Sequence, residues 1–265
     1  MKSKQILAAV SLISLVMGSH SALAGTITVA NAGSANFGSG SVGYYSGQIA
    51  PNPSSGTNLV WAGIGGDSFT TTDRTYDFST TTGQFNTWCV DIYHWLTGGS
   101  VTYTVGTGAD LAASLSILRP ATPGGTTRVS QLGRLANQVY RIVDTKDESA
   151  AFQLAVWAIT YGDADVNGHY HINTTNQGFK VDSLTAASAY GDLANTWLQN
   201  LDTAANTGNY SLTYLNANTT QDMVVFTAQT FPAITTVPEP ATLALLGLGL
   251  AGLGFSRRKP GRYRL

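Results

Sequence analysis

The sequence predicts an α+β domain, a mostly antiparallel β body over residues 25–236 with an inserted helical subdomain of three helices. Three observations predict it. Residues 25 to about 103 are rich in Thr, Val, Tyr and Gly with short alternating runs, the spacing of apolar residues then turns helical, and after Gly208 strand chemistry returns. The early strands are typified by Thr26-Ile27-Thr28-Val29 and Val101-Thr102-Tyr103-Thr104-Val105, joined by Gly and Asn turns. Residues 119–127 read as a loop. Leu132, Leu135, Val139 and Ile142/Val143 then recur at helical spacing behind a cap at Ser130. A second helix is expected from about Glu148 to Tyr161, stopped by Gly162, and a third from about Leu184 to Leu201. Tyr210–Leu215 and Met223–Phe226 are the returning strands, and no internal repeat is present.

The chain has 265 residues, 43% hydrophobic and only 11% charged. It is too apolar to be disordered and long enough for one sizeable core, and its surface must be covered mainly by Thr, Ser, Asn, Gln and Gly. That composition is common in exported β-rich proteins. The formal net charge of −1 conceals an uneven distribution. Between Gly25 and Pro238 seven basic residues face fourteen acidic ones, a net of −7. Nucleic acid is thereby excluded as a partner of the usual kind, since a binder needs a basic stripe to displace phosphate counterions.

Both ends read as addresses. Lys2 and Lys4 precede the apolar run Ile6 to Met17, and Ala22-Leu23-Ala24 offers the small residues a signal peptidase requires, so residues 1–24 are expected to be a secretory signal cleaved after Ala24. Residues 237–265 repeat the logic: Val237-Pro238-Glu239-Pro240, an apolar stretch from Ala241 to Phe255, then Arg257-Arg258-Lys259. The stretch is barely long enough to span a bilayer, and the basic cluster would hold its end on the cytoplasmic side. On Pro238-Glu239-Pro240, Leu243-Ala244-Leu245-Leu246-Gly247-Leu248 and Arg257-Arg258, the tail resembles the PEP-CTERM sorting signal of bacterial surface and matrix proteins. The resemblance implies transient membrane anchoring, cleavage by a sorting protease of the exosortase type, and delivery to the outer surface or an extracellular polymer.

Cys89 is the only cysteine, so no intramolecular disulfide can form in a chain expected to be exported. In Trp88-Cys89-Val90-Asp91-Ile92-Tyr93-His94-Trp95-Leu96, a continuous strand puts Cys89, Asp91, Tyr93 and Trp95 on one face and His94 on the other, away from the sulfur. In the second helix, Phe152, Ala155, Val156 and Ile159 form an apolar stripe, while Gln153 and Trp157, four apart, share an adjoining face. A glutamine among such neighbours is costly to bury unless its amide is bonded or consumed.

Trp88-Cys89-Val90, followed on a helix by Phe152-Gln153-Leu154-Ala155-Val156-Trp157, resembles the Cys-Gln thioester domain of bacterial surface adhesins. That family's chemistry implies that Sγ of Cys89 displaces ammonia from the Gln153 amide, and that an amine or hydroxyl on a target then attacks the thioester. Gln153 is left joined to the target and Cys89 free. Orientation of this kind is worth about 7–11 kcal/mol. Asp91 is the candidate proton shuttle, and Trp88, Phe152 and Trp157 are available to shield the acyl group from water. No cofactor is expected.

Other candidates are weaker. Asp163, Asp165 and Asn167, with Gly168 behind them, match the first half of a calcium loop, but the twelfth position is Thr174 where an acid belongs. A turn ending the helix is the better reading. His169 and His171 lack a third zinc ligand in the sequence. The leading expectation is thus an exported, non-enzymatic protein that attaches covalently to a target. Two alternatives stand beside it: a non-reactive structural component of the extracellular polymer, and a cysteine hydrolase pairing Cys89 with His169 or His171.

Overall fold

A computed structural model of the chain describes residues 25–229 apart from 38–39, 51–58, 77, 79–82, 121–122, 176–177 and 202–208. The chain divides into two units, Met1–Thr227 and Ala228–Leu265, and the elements below belong to the first, which the last strand leaves by one residue. The amino-terminal signal and the sorting tail lie outside the described residues. Among the described residues no helix is long and apolar enough to cross a membrane.

Six strands close into a barrel: β1 (Thr26–Ser34), β4 (Asp67–Thr70), β5 (Gln84–Cys89), β9 (Met223–Ala228), β8 (Tyr210–Asn216) and β6 (Ser100–Thr107), in that spatial order. A smaller sheet of order β3-β2-β7 comprises β2 (Tyr45–Ala50), β3 (Val60–Ile64) and β7 (Lys180–Val181). The ladders with a defined register are antiparallel, as the alternating sequence led one to expect. Side chains alternate across a strand, so Phe69 and Phe85, opposite one another, meet edge to face inside the barrel with Tyr103 beside them. Trp88 points the other way, against Phe152 of the helical layer, with ring centroids 4.6 Å apart. Glycine is required at Gly66, where a Cβ would stand 2.6 Å from the Trp88 ring.

The helices lie between β6 and β8 in the sequence, but they are not a separate three-helix subdomain. Among the described residues there are five: α1 (Gly108–Leu118), α2 (Gly125–Val139), α3 (Lys146–Tyr161), α4 (Ser183–Ala186) and α5 (Ala189–Gln199). The first is additional to the three expected from the sequence; Thr107 caps it reciprocally with Asp110. α2 begins at Gly125 with Gly124 as its cap, six residues before the cap expected at Ser130. The expected third helix is interrupted, because Ser188 caps a new helix by accepting from the Gly191 N–H.

α3 is the most deeply buried helix of this unit. Thr145 and Glu148 form its capping box, and Gly162 ends it, close to the expected limits. Every residue from Ser149 to Tyr161 is buried, so the helix is a core element covered on all sides and has no solvent stripe. Its last carbonyls are held by Arg128 of α2, itself fully buried, which donates to Ile159 O at 2.6 Å and Gly162 O at 2.8 Å. A cation at a helix C-terminus meets both the orphan carbonyls and the negative end of the dipole.

Candidate functional site

One face of α3 is bonded to the Gly66 turn and to the end of β5. Ser149, Gln153, Trp157 and Tyr161 recur every four residues and so lie along one side of the helix. Ser149 Oγ accepts from the Gly66 N–H at 3.0 Å, and the Tyr161 hydroxyl donates to Val90 O at 2.9 Å. Between them the Gln153 carboxamide bonds the Cys89 backbone twice. The Cys89 N–H donates to Oε1 at 3.0 Å, and Nε2 donates to Cys89 O at 2.9 Å.

The reason lies in the sheet. The register of β4 on β5 runs from Asp67↔Thr87 to Thr70↔Gln84 and ends there, so Cys89 has no β4 partner on that side, while its other side pairs with Met223 of β9. Gln153 takes the place of the missing strand and satisfies two buried backbone groups.

The strand ends at Cys89 and the chain bends through residues 92–94, so the two-residue alternation does not continue to Leu96. His94, expected on the face away from the sulfur, lines the same cleft as Cys89. The Asp91 carboxylate shapes this turn: Oδ1 accepts from the Tyr93 N–H at 2.9 Å and Oδ2 pairs with His94 Nδ1. The Asp91 backbone carbonyl accepts from the Cys89 thiol at 3.0 Å.

The cleft holds about 600 Å³ and runs between β3 of the small sheet and the 92–96 segment. Cys89 and Trp157 stand in its wall. Burial pushes the Cys89 thiol well above the ordinary thiol range, opposed by the Trp157 indole N–H, which lies near enough to favour the thiolate without completing a hydrogen bond. A thiol held protonated is poorly suited to act as a free nucleophile toward dissolved substrates. Of the expected shielding residues, Trp157 lines the cleft, whereas Trp88 and Phe152 pack in the core behind it with Tyr140.

Asp67 was not singled out from the sequence, yet it lines the same cleft and is only 8% exposed. The Tyr44 hydroxyl donates to its Oδ1 at 2.8 Å. Desolvation pushes its carboxyl up to about 6, against the hydrogen bonds from Tyr44 and Asn31. No local motif marks it, since Gly65-Gly66-Asp67-Ser68 reads as an ordinary turn into a strand. Half of the large hydrophobic side chains that are exposed among the described residues border this cleft: Tyr44, Val60, Trp61, Tyr93 and Trp95. Apolar exposure concentrated in one place marks a binding surface.

The remaining candidates lie elsewhere. His169 and His171 do not line the cleft. Asp165 is used locally, accepting from the Asn167 and His169 N–H groups and pairing with His171, whose contact holds its carboxyl down at about 2. Asp163 pairs with Arg119 at 2.6 Å. Among the described residues no group of three or more His, Cys, Asp or Glu side chains is placed to hold a metal ion.

Residues 236–259 match the PEP-CTERM protein-sorting motif, which supports an exported, cell-surface protein with a processing partner of the exosortase type. A search of the curated proteins found no match. Among solved structures, the chain is similar to the N-terminal thioester domain of the fibronectin-binding protein SfbI from Streptococcus pyogenes. The two share 10% identity over 72% of this chain and 96% of that one, with a TM-score of 0.37.

Proposed function

We propose that this exported protein forms an internal thioester between Cys89 and Gln153 and uses it to attach covalently to an amine or hydroxyl on a target. The observation that carries the reading is the pair of hydrogen bonds between the Gln153 carboxamide and the backbone of Cys89, a residue that lines a cleft. The Cys89 N–H donates to Oε1, the atom on which negative charge develops when sulfur adds to the amide carbon. The second bond holds the nitrogen that must leave. The S–C bond forms, the C–N bond breaks, and the thiol proton departs on ammonia. Trp157, which lines the cleft beside Cys89, supports the reading as the side chain available to shield the acyl group from water.

Intact mass tests this directly. The exported protein should weigh one ammonia less than its sequence requires. Methylamine should then add to residue 153 and expose one titratable thiol, and Cys89→Ala should abolish both. A full calculated mass, unchanged by methylamine, would leave Gln153 as the strand-completing side chain of a non-reactive matrix component.

A second reading is favoured by one observation: His94, paired with Asp91, borders the cleft that Cys89 lines. This gives a cysteine hydrolase a different histidine from those expected. The thiol, however, donates to a backbone carbonyl and not to His94, and burial opposes its ionisation. Turnover of ester or peptide substrates would favour this reading over covalent capture.

A further inference from the structure

We infer that the cleft captures a neutral carbohydrate through one of its hydroxyls, and that Asp67 is the general base receiving the hydroxyl proton. The inference rests on the thioester reading and adds to it a substrate class and a catalytic residue.

The β4–β5 register supplies the geometry. Asp67 lies opposite Thr87, and Cys89 follows two residues later, on the same face of β5. Asp67 and Cys89 are therefore diagonal neighbours, a relation that places Cα atoms about 7–8 Å apart in an antiparallel pair. Both line the cleft. Asp67 and the residue that bears the sulfur thus share one wall of the cleft, which is where the attacking hydroxyl would bind. Asp67 is held rigidly by Tyr44 and by Asn31, and its carboxyl, raised to about 6 by desolvation, stays ionised at neutral pH while being a better base than a solvated aspartate. A neutral amine attacks a thioester unaided. An alcohol needs its proton removed as it adds, so a built base has a use when the acceptor is a hydroxyl.

The rim selects the same class. Trp61 is 61% exposed and Trp95 68%, on the β3 side and the loop side of one cleft. Flat, amphipathic ring faces of this kind suit the C–H faces of pyranose rings, whose hydroxyls remain at the edges for polar partners. No lysine or arginine lines the cleft among the described residues, and the one histidine there, His94, is paired with Asp91, so the lining suits an uncharged ligand.

The step balances without redox chemistry. The sugar oxygen bonds to the former Gln153 carbonyl carbon and its proton passes to Asp67. The C–S bond breaks, and the Cys89 thiolate takes that proton back. The products are an ester at residue 153 and a free thiol.

The test incubates the thioester-bearing protein with methylamine and, separately, with maltohexaose or cellohexaose, and reads intact mass. Addition of one oligosaccharide, removable by hydroxylamine, is expected, with a rate that rises with pH through about 6. Asp67→Asn should slow ester formation on the order of 100-fold. Trp95→Ala, in an exposed loop position, should slow it at low sugar concentration, and this variant keeps the test open if Asp67→Asn fails to fold. Addition of methylamine with no addition of either sugar overturns the inference and leaves the thioester standing. Ester formation by Asp67→Asn at the wild-type rate overturns the role of Asp67. Full calculated mass with no adduct of any kind overturns the thioester reading and this inference together.

Discussion

The side chain of Gln153 and the backbone of Cys89, 64 positions apart, exchange two hydrogen bonds of 3.0 and 2.9 Å in the interior of the protein. Gln153→Ala leaves a buried N–H and a buried carbonyl unpaired, at about 1–3 kcal/mol for each such group. The variant should unfold at a clearly lower urea concentration than wild type with an unchanged denaturant slope. Gln153→Glu should retain its full calculated mass, because the carboxylate offers no ammonia to displace.

Arg128 supports the same helix from its far end. Arg128→Met keeps much of the side-chain volume but strands the Ile159 and Gly162 carbonyls. A loss of about 2–5 kcal/mol is expected from the unpaired groups, measurable as a shift in the urea midpoint. An unchanged midpoint would show that these carbonyls find other partners.

Asp67 makes stability depend on pH in a definite direction. Its folded carboxyl is raised to about 6, above its ordinary value, so between roughly pH 4 and 6 the folded state binds the extra proton and stability falls as pH rises. Asp67→Asn still accepts from Tyr44 but carries no charge. It should be more stable than wild type at pH 7, by on the order of 2 kcal/mol, and the difference should vanish near pH 4. Thermal unfolding of the pair at both pH values measures it.

His94 separates covalent capture from hydrolysis. In the capture reading it only braces the 91–94 turn, so His94→Ala should take up methylamine at the wild-type rate. Loss of an ester or peptide hydrolase activity in that variant would instead identify a Cys-His enzyme.

The Cys89 thiol offers a last check. In Gln153→Ala, which cannot form the linkage, burial should keep alkylation by iodoacetamide at least about tenfold slower in the folded protein than in urea. Equal rates would show that the cleft gives reagents free access to the sulfur.

Local signals were enough for elements whose determinants are contiguous. The limits of α3 follow from Thr145, Glu148 and Gly162, a capping box at one end and a stop at the other, and the address at the C-terminus is a short ordered motif. Signals that depend on neighbours far along the chain went unread. Alternation alone does not tell where pairing stops, so it extends the strand of Cys89 to Leu96 although β5 ends at Cys89, and periodicity does not mark α1. Phe152, Gln153 and Trp157 were legible as a group. That one face of α3 carries Ser149 to Gly66 and Gln153 and Tyr161 to the end of β5 required the packed helix. Terminal motifs and periodicity therefore pointed to an exported, β-rich protein with a glutamine-bearing helix. Tertiary structure decided that Asp67 stands beside Cys89, because strand register is set by long-range pairing and shifting it by one residue would turn that carboxylate to the opposite face.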